Sequence, residues 1–189
     1  IQVVTVGRLD PVKGFDTLVE AFAALVESGA GRNVSLNIVG DGPLRSALAE
    51  QIERLGLSGC VKLSGNRDDV DQILAAADIY ICSSIAEGIA LTVREAMASA
   101  LAVVATDVGG NPELVEHERT GLLVNAGDVS GIAQALRRLI GDADERARFG
   151  DNARRQARGN LLETFGCGLG HRPAVAAGQH QRRTNHGLV

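Results

Sequence analysis

The sequence contains no tryptophan, one tyrosine and four phenylalanines, so aromatics make up 3% of its 189 residues. That removes the stacking platforms on which proteins hold single-stranded nucleic acid. The net charge is −4 and no basic stripe runs along the apolar part of the chain. A polyanion surface is therefore excluded as the main partner, and no nucleic acid is expected, though one small phosphate ligand is not excluded. Cys60, Cys82 and Cys167 form no CxxC pair, and two of them fall in or beside apolar runs. They read as buried free thiols of a reducing compartment. No apolar run approaches the roughly 20 residues needed to span a bilayer. No signal peptide is visible, but the chain begins at Ile1, directly with a strand, so the start of the natural protein is expected to be missing. A Walker loop and a GxSxG elbow are also absent.

What is present is alternation. Apolar residues make up 45% of the chain, enough for one domain with a full core. Strands are predicted at 1–6, 34–39, 61–63, 79–82, 102–105 and 121–124, as short apolar runs without polar alternation. Between them lie helical faces, the clearest being Phe15, Leu18, Val19, Phe22, Leu25 and Val26. Asp68 or Asp69 is expected to cap a helix containing Val70, and Asp128 one containing Ile132 and Leu136. A last, charged helix is predicted over 142–158. Repeated strand–helix units with short connections mean a parallel sheet covered on both faces, a Rossmann-like doubly wound α/β fold. From Gly159 the apolar periodicity disappears, and residues 159–189 read as an atypical tail, disordered or not native to the domain. The tail holds His171, His180 and His186, whose spacings match no compact metal motif, so no metal site is expected.

The stretch from Ile79 to Glu113, IYICSSIAEGIALTVREAMASALAVVATDVGGNPE, organises the rest. Two neighbouring strands each end in a glycine-containing loop that leads into a helix N-terminus. In an open α/β sheet that edge binds ligands, and helix N-termini suit phosphate. Glu87 lies in the first loop and Glu95 about one turn inside the following helix, predicted to start near Ala90 and end near Ala100. Two isolated glutamates are ordinarily solvated acids. At a ligand edge, two carboxylates can each take a bidentate pair of hydroxyls, as on a ribose or a hexose. Arg8 and Lys13 bracket the first strand-to-helix loop and read either as exposed cations or as a diphosphate clamp. They would stand beside the Glu87 loop if the first strand is central in the sheet. Gly40-Asp41-Gly42-Pro43 reads as a turn with a helix start, because the third glycine of a dinucleotide fingerprint is replaced by Arg45. His117, among charged residues, reads as a surface residue.

GRLDPVKG, NIVGDGPLR, VKLSGN, the Ser83–Val115 segment and TGLLV, in that order, resemble the C-terminal, donor-binding half of retaining glycosyltransferases of family 4, which have the GT-B fold. The resemblance covers Ile1 to about Arg158. It implies that residues 1–158 bind a nucleotide diphosphate sugar, a UDP-, GDP- or ADP-hexose, without a cofactor or metal. Glu95 would hold the ribose and Glu87 the donor sugar's hydroxyls, while Arg8 and Lys13 would neutralise the diphosphate, making Arg8, Lys13 and Glu87 the catalytic set. Gly7 belongs to the same loop, Gly65, Asn66 and Arg67 would line the base, and backbone around Gly88, Ile89, Ala90 and Leu91 would meet phosphate and sugar. The implied reaction transfers a hexose, with retention, to a glycan or lipid-linked acceptor in polysaccharide assembly. It would take place in the cytoplasm or at the inner membrane face, reached through the missing half.

The departures are specific. Ala100 stands where the family usually has Gly, Ala102 where it has Pro, and Ile89-Ala90 where Phe-Pro is common. The N-terminal acceptor half is not in this chain, and past Phe165 the usual closing helix is unrecognisable, as a frameshift or truncation would leave it. The isolated chain is expected to bind donor but transfer poorly, having nothing to orient an acceptor. Two other readings share the fold: a nucleotide-sugar epimerase or hydrolase, and a nonenzymatic binding module.

Overall fold

The computed structural model describes residues 1–31, 33–88 and 90–166, with side chains described to Gly159. Ile89, Cys167 and the histidine-bearing tail lie outside the described residues. The strands are β1 (Gln2–Val6), β2 (Ser35–Val39), β3 (Val61–Gly65), β4 (Ile79–Cys82), β5 (Ala102–Thr106) and β6 (Gly121–Val124). The helices are α1 (Phe15–Glu27), α2 (Arg45–Arg54), α3 (Val70–Ala75), α4 (Leu91–Ala98), α5 (Asn111–Leu114), α6 (Val129–Gly141) and α7 (Ala143–Gly166). A 3-10 turn over Pro11–Lys13 precedes α1.

All six strands are parallel, in the order β3-β2-β1-β4-β5-β6. The uninterrupted apolar runs of β4 and β5 are explained by this arrangement, since both strands are buried on both faces. On one face Val3, Leu36, Ile38, Ile81 and Val104 pack with Phe22, Ile132 and Leu136 of α1 and α6. On the other, Val4, Tyr80 and Val103 pack with Val93 and Met97 of α4 and Ala153 of α7. β1 is central, so the chain winds outward from it through β2 and β3. It then returns across the sheet to β4, placing a topological switch point between β1 and β4.

Three local expectations are refined by the structure. Asp128 caps α6 as expected, its Oδ1 accepting from the Gly131 amide at 2.9 Å. Neither Asp68 nor Asp69 caps α3 through its side chain, because both Asp69 carboxylate oxygens are taken by Arg67, at 2.8 and 2.6 Å. The last helix runs past Arg158 to Gly166. Its first half is anchored by Arg138, which donates to both oxygens of Glu118 and both of Glu145 and holds those carboxyls below their usual range.

α4 stops at Ala98 because Ala100 is left-handed, with φ 62°. A non-glycine residue there is disfavoured by about 1–2 kcal/mol, from which glycine's greater unfolded-state freedom subtracts about 0.5–1 kcal/mol. Ala100→Gly is therefore expected to stabilise the chain by about 0.5–1 kcal/mol. In a chain of this length that raises the melting temperature by roughly 1–4 °C, measured by calorimetry. A lower melting temperature would contradict it.

Candidate functional site

The carboxyl ends of β1 and β4 meet at the switch point, and the loops leaving them carry most of the anticipated residues. After β1 the chain turns through Gly7 and Arg8 into the 3-10 turn that ends on Lys13. After β4 it passes Ser83 and Ser84 to Glu87. The two loops are stitched together: the Ile85 amide donates to the Val12 carbonyl at 2.8 Å, and the Ser83 hydroxyl to the Lys13 carbonyl at 2.9 Å. Gly14, with φ 61°, lets the β1 loop lie this close, since a Cβ there would fall 2.3 Å from the Ser83 carbonyl oxygen.

Lys13 and Glu87 are brought into direct contact, Nζ to Oε2 at 2.7 Å, with side chains 26% and 13% exposed. The same Oε2 accepts from the Ser84 hydroxyl at 2.8 Å. Among the described residues no donor reaches Oε1. The sequence reading gave Lys13 and Glu87 separate ligands; in this structure each is the other's partner.

Arg8 is placed differently. Its Nε pairs with Asp10 at 2.6 Å, and most of the guanidinium faces solvent. Arg8 and Gly7 line a cleft of ≈ 550 Å³ with Gly40, Asn66, Arg67 and Asp68. Glu95, exposed on α4, lines a second cleft of ≈ 440 Å³ with Asp71, Leu74 and Ser99. Asp68 and Val70, at the end of the β3–α3 loop and the start of α3, border both clefts. Of the expected base-lining residues, Asn66 and Arg67 sit in the first cleft, while Gly65 holds the loop that feeds it, accepting the Gly40 amide at 2.8 Å.

The N-terminus of α4 follows the Glu87 loop in the chain. Its cap residue, Ala90, has no side-chain acceptor, and no acidic residue lies in the first turn. The amides of Val93 and Arg94 bond to the Ala90 carbonyl. Among the described residues, the amides of Leu91 and Thr92 find no acceptor. They are oriented for an anion by the end of a helix that carries partial positive charge. Tyr80, fully buried in β4, donates its hydroxyl to Thr92 at 2.7 Å and so ties this first turn to the sheet; burial pushes that hydroxyl well above its ordinary range.

Behind Glu87 lies a set of buried polar residues that sequence reasoning did not single out. Thr106 donates to the Ser84 carbonyl at 2.6 Å, and Asn111 to the Thr106 carbonyl at 2.9 Å. Ser84, Thr106 and Asn111 are essentially inaccessible. They stand at strand and turn ends, where Ser, Thr and Asn ordinarily signal only a turn. His117 is structural: its Nδ1 accepts the Leu123 amide at 2.9 Å. Among the described residues no cluster of His, Cys, Asp or Glu could hold a metal ion.

Sheet order and the cleft at the switch point together define a doubly wound α/β domain, a class that binds its ligands at the carboxyl edge of the sheet. The family model for glycosyl transferases group 1 matches residues 1–156, and the chain belongs to that family. N-acetyl-alpha-D-glucosaminyl L-malate synthase of Bacillus anthracis is 33% identical over 143 residues, 76% of this chain and 37% of that protein. Lipopolysaccharide core biosynthesis glycosyltransferase LpsE of Rhizobium meliloti is 34% identical over 149 residues, 79% of this chain and 42% of that protein. The crystal structure of Anabaena Alr3699/HepE in complex with UDP and glucose superposes with a TM-score of 0.77 at 31% identity, covering 88% of this chain and 48% of that one. The chain thus spans less than half the length of these relatives. The Rossmann-like parallel sheet matches the glycosyltransferase fold expected from the motifs, GT-B.

Proposed function

We propose that this chain is the donor-binding half of a retaining glycosyltransferase of family 4. The reaction moves a hexose from a nucleotide diphosphate sugar to a glycan or lipid-linked acceptor. The observation that carries this reading is the Lys13–Glu87 contact at the sheet's switch point, beside the uncapped start of α4. UDP in the Anabaena complex supports uracil as the base.

In this reading the diphosphate lies across the Leu91 and Thr92 amides, with Lys13 and Arg8 supplying positive charge. Both cations are partnered by carboxylates before donor arrives, Lys13 by Glu87 and Arg8 by Asp10. Diphosphate binding therefore proceeds by exchange: phosphate oxygens replace the carboxylates, and Glu87 is freed for the hexose hydroxyls. Glu95 takes the ribose hydroxyls, and Gly65 to Arg67 the base. Ala90 and the segment around Gly88 and Ile89 close over the sugar. Two cations substitute for a divalent ion, so no metal or cofactor is required. As the C1–oxygen bond to phosphate breaks, negative charge grows on the departing oxygen, where the amides and Lys13 stabilise it. The acceptor hydroxyl forms the new bond to C1 on the same face and passes its proton to the leaving diphosphate. Acceptor binding and any peripheral contact with the cytoplasmic membrane face belong to the part of the protein outside this chain. No helix among the described residues is long and apolar enough to cross a membrane.

Calorimetric titration of the 189-residue chain with UDP, GDP and ADP, in chelator, tests the reading. Selective binding of one nucleotide, weakened about tenfold or more by Arg8→Ala and by Glu95→Ala, is expected from the loss of charge-assisted hydrogen bonds. A folded chain that binds none of the three contradicts it. Release of UDP from UDP-glucose without an acceptor would instead favour a hydrolase.

A further inference from the structure

The Lys13–Glu87 pair raises a question the donor reading leaves open: what holds Glu87 once Lys13 has turned to phosphate. Glu87 Oε2 has two donors, and only one of them is a cation. The other, Ser84, is 1% exposed and has no route to the ligand of its own. Its position is fixed from behind. Thr106 on β5 donates to the Ser84 carbonyl at 2.6 Å, so the end of β4 cannot rotate without breaking a buried hydrogen bond. Asn111, at the start of α5, donates to the Thr106 carbonyl at 2.9 Å and closes the chain on the next loop. The backbone is braced at the same place, the Gly110 amide donating to the Gly88 carbonyl at 3.1 Å. Glu87 is thus held at its side chain by Ser84, and the next residue, Gly88, is held at its carbonyl by the β5–α5 loop.

The geometry points to Ser84, backed by Thr106, as a positioning residue: it keeps the Glu87 carboxylate aimed at the donor sugar while Lys13 is engaged by the diphosphate. Hydrogen bonding divides the two carboxylate oxygens accordingly. Oε2 stays on the Ser84 hydroxyl, and Oε1 is left to accept from a sugar hydroxyl. A serine hydroxyl is suited to this because, unlike Lys13, it offers no net charge for which phosphate competes. Lys13 would be the exchangeable partner of Glu87 and Ser84 the permanent one. The inference rests on the donor reading of Glu87.

The test compares UDP with UDP-glucose on the full 189-residue chain, because Ser84 is expected to act on the sugar alone. The readout is the ratio of the two dissociation constants, with thermal melting recorded for every variant. Ser84→Ala is expected to leave UDP affinity unchanged and to remove the extra affinity for UDP-glucose, about tenfold as for a lost hydrogen bond to a charged group. Thr106→Val should act in the same direction, and Thr106→Ser, which keeps the hydroxyl, should restore the ratio. Serine and valine both alter packing at this buried site, so a purely structural role would move both variants together and both ligands equally. An unchanged ratio in Ser84→Ala, or parallel loss of UDP and UDP-glucose, overturns the role of Ser84 and leaves the donor reading standing. If the unsubstituted chain binds UDP and UDP-glucose equally, the sugar role of Glu87 fails and the positioning role with it. If it binds neither, the ratio is read with GDP or ADP and the matching nucleotide hexose; a chain that binds none of the three nucleotides overturns the donor reading itself.

Discussion

Gly109→Ala is expected to be the most damaging single substitution at the site. Gly109 sits at φ 53°, and a Cβ built on it would lie 1.6 Å from the Glu87 carbonyl oxygen. No rotamer relieves that contact, because the Cβ position is set by the backbone and its partner is a backbone carbonyl. Either the β5–α5 loop retreats, breaking the Gly110–Gly88 hydrogen bond, or the Glu87 loop shifts away from Lys13. The left-handed penalty alone is about 1–2 kcal/mol, and the displaced backbone and buried hydrogen bonds bring the total to roughly 3–4 kcal/mol. For a chain of this size that is a fall in melting temperature of roughly 6–16 °C. Nucleotide-sugar binding should be lost along with it. A variant that melts within a degree or so of the parent and binds donor normally would show that the two loops are not packed as described.

Lys13→Met is the second. It removes the cation but keeps most of the side chain's bulk, leaving a mostly buried Glu87 carboxylate with Ser84 alone. Removing one partner of a fully buried pair costs about 3–5 kcal/mol; solvent reaches both groups here, which brings the expectation down to about 1–2 kcal/mol. Glu87→Gln on top of Lys13→Met should recover most of that loss, because no charge is then stranded. A double-mutant cycle on thermal or urea unfolding measures the coupling. Donor affinity should follow the opposite logic, falling in Lys13→Met and not recovering in the double variant. Additive effects on stability would mean that the 2.7 Å contact contributes nothing in solution.

The fold was legible because its inner strands β4 and β5 are buried on both faces. An uninterrupted run such as Ala102 to Ala105 leaves few alternatives, and its neighbours alternate with helical faces of the right length. The loops at the carboxyl edge were legible for the same reason, since glycines and helix starts follow the strands directly. What could not be read was contact across the sheet. Lys13 and Glu87 are 74 residues apart, and their pairing depends on β1 and β4 being neighbours, which is a property of strand order. Sequence reasoning made that order a condition and so treated the two residues as separate ligands of one donor. The hydroxyls of Ser84 and Thr106 were invisible for another reason. At strand ends Ser and Thr ordinarily mark turns, and only burial distinguishes a hydrogen-bonded brace from a solvated loop. Asp69 failed as a cap because a nearby cation, Arg67, competes for the same oxygens. Ala100 was visible as a departure from a familiar pattern, but its cost could be assigned only from its left-handed backbone.

The proposed donor site puts the nucleotide diphosphate at the carboxyl edge of the sheet, between the loops after β1 and β4 and the start of α4. The chain also has a cleft of ≈ 500 Å³ at the opposite edge, lined by Gln2, Ser35, Cys60 and Lys62. Amide-resolved nuclear magnetic resonance during titration with UDP separates the two. The expected result is a saturable set of shifts at Gly7, Asn66, Gly88, Leu91 and Thr92, with Gln2, Ser35 and Lys62 unmoved. Shifts confined to Gln2, Ser35 and Lys62 would contradict it, and would place the ligand in the cleft at the opposite edge.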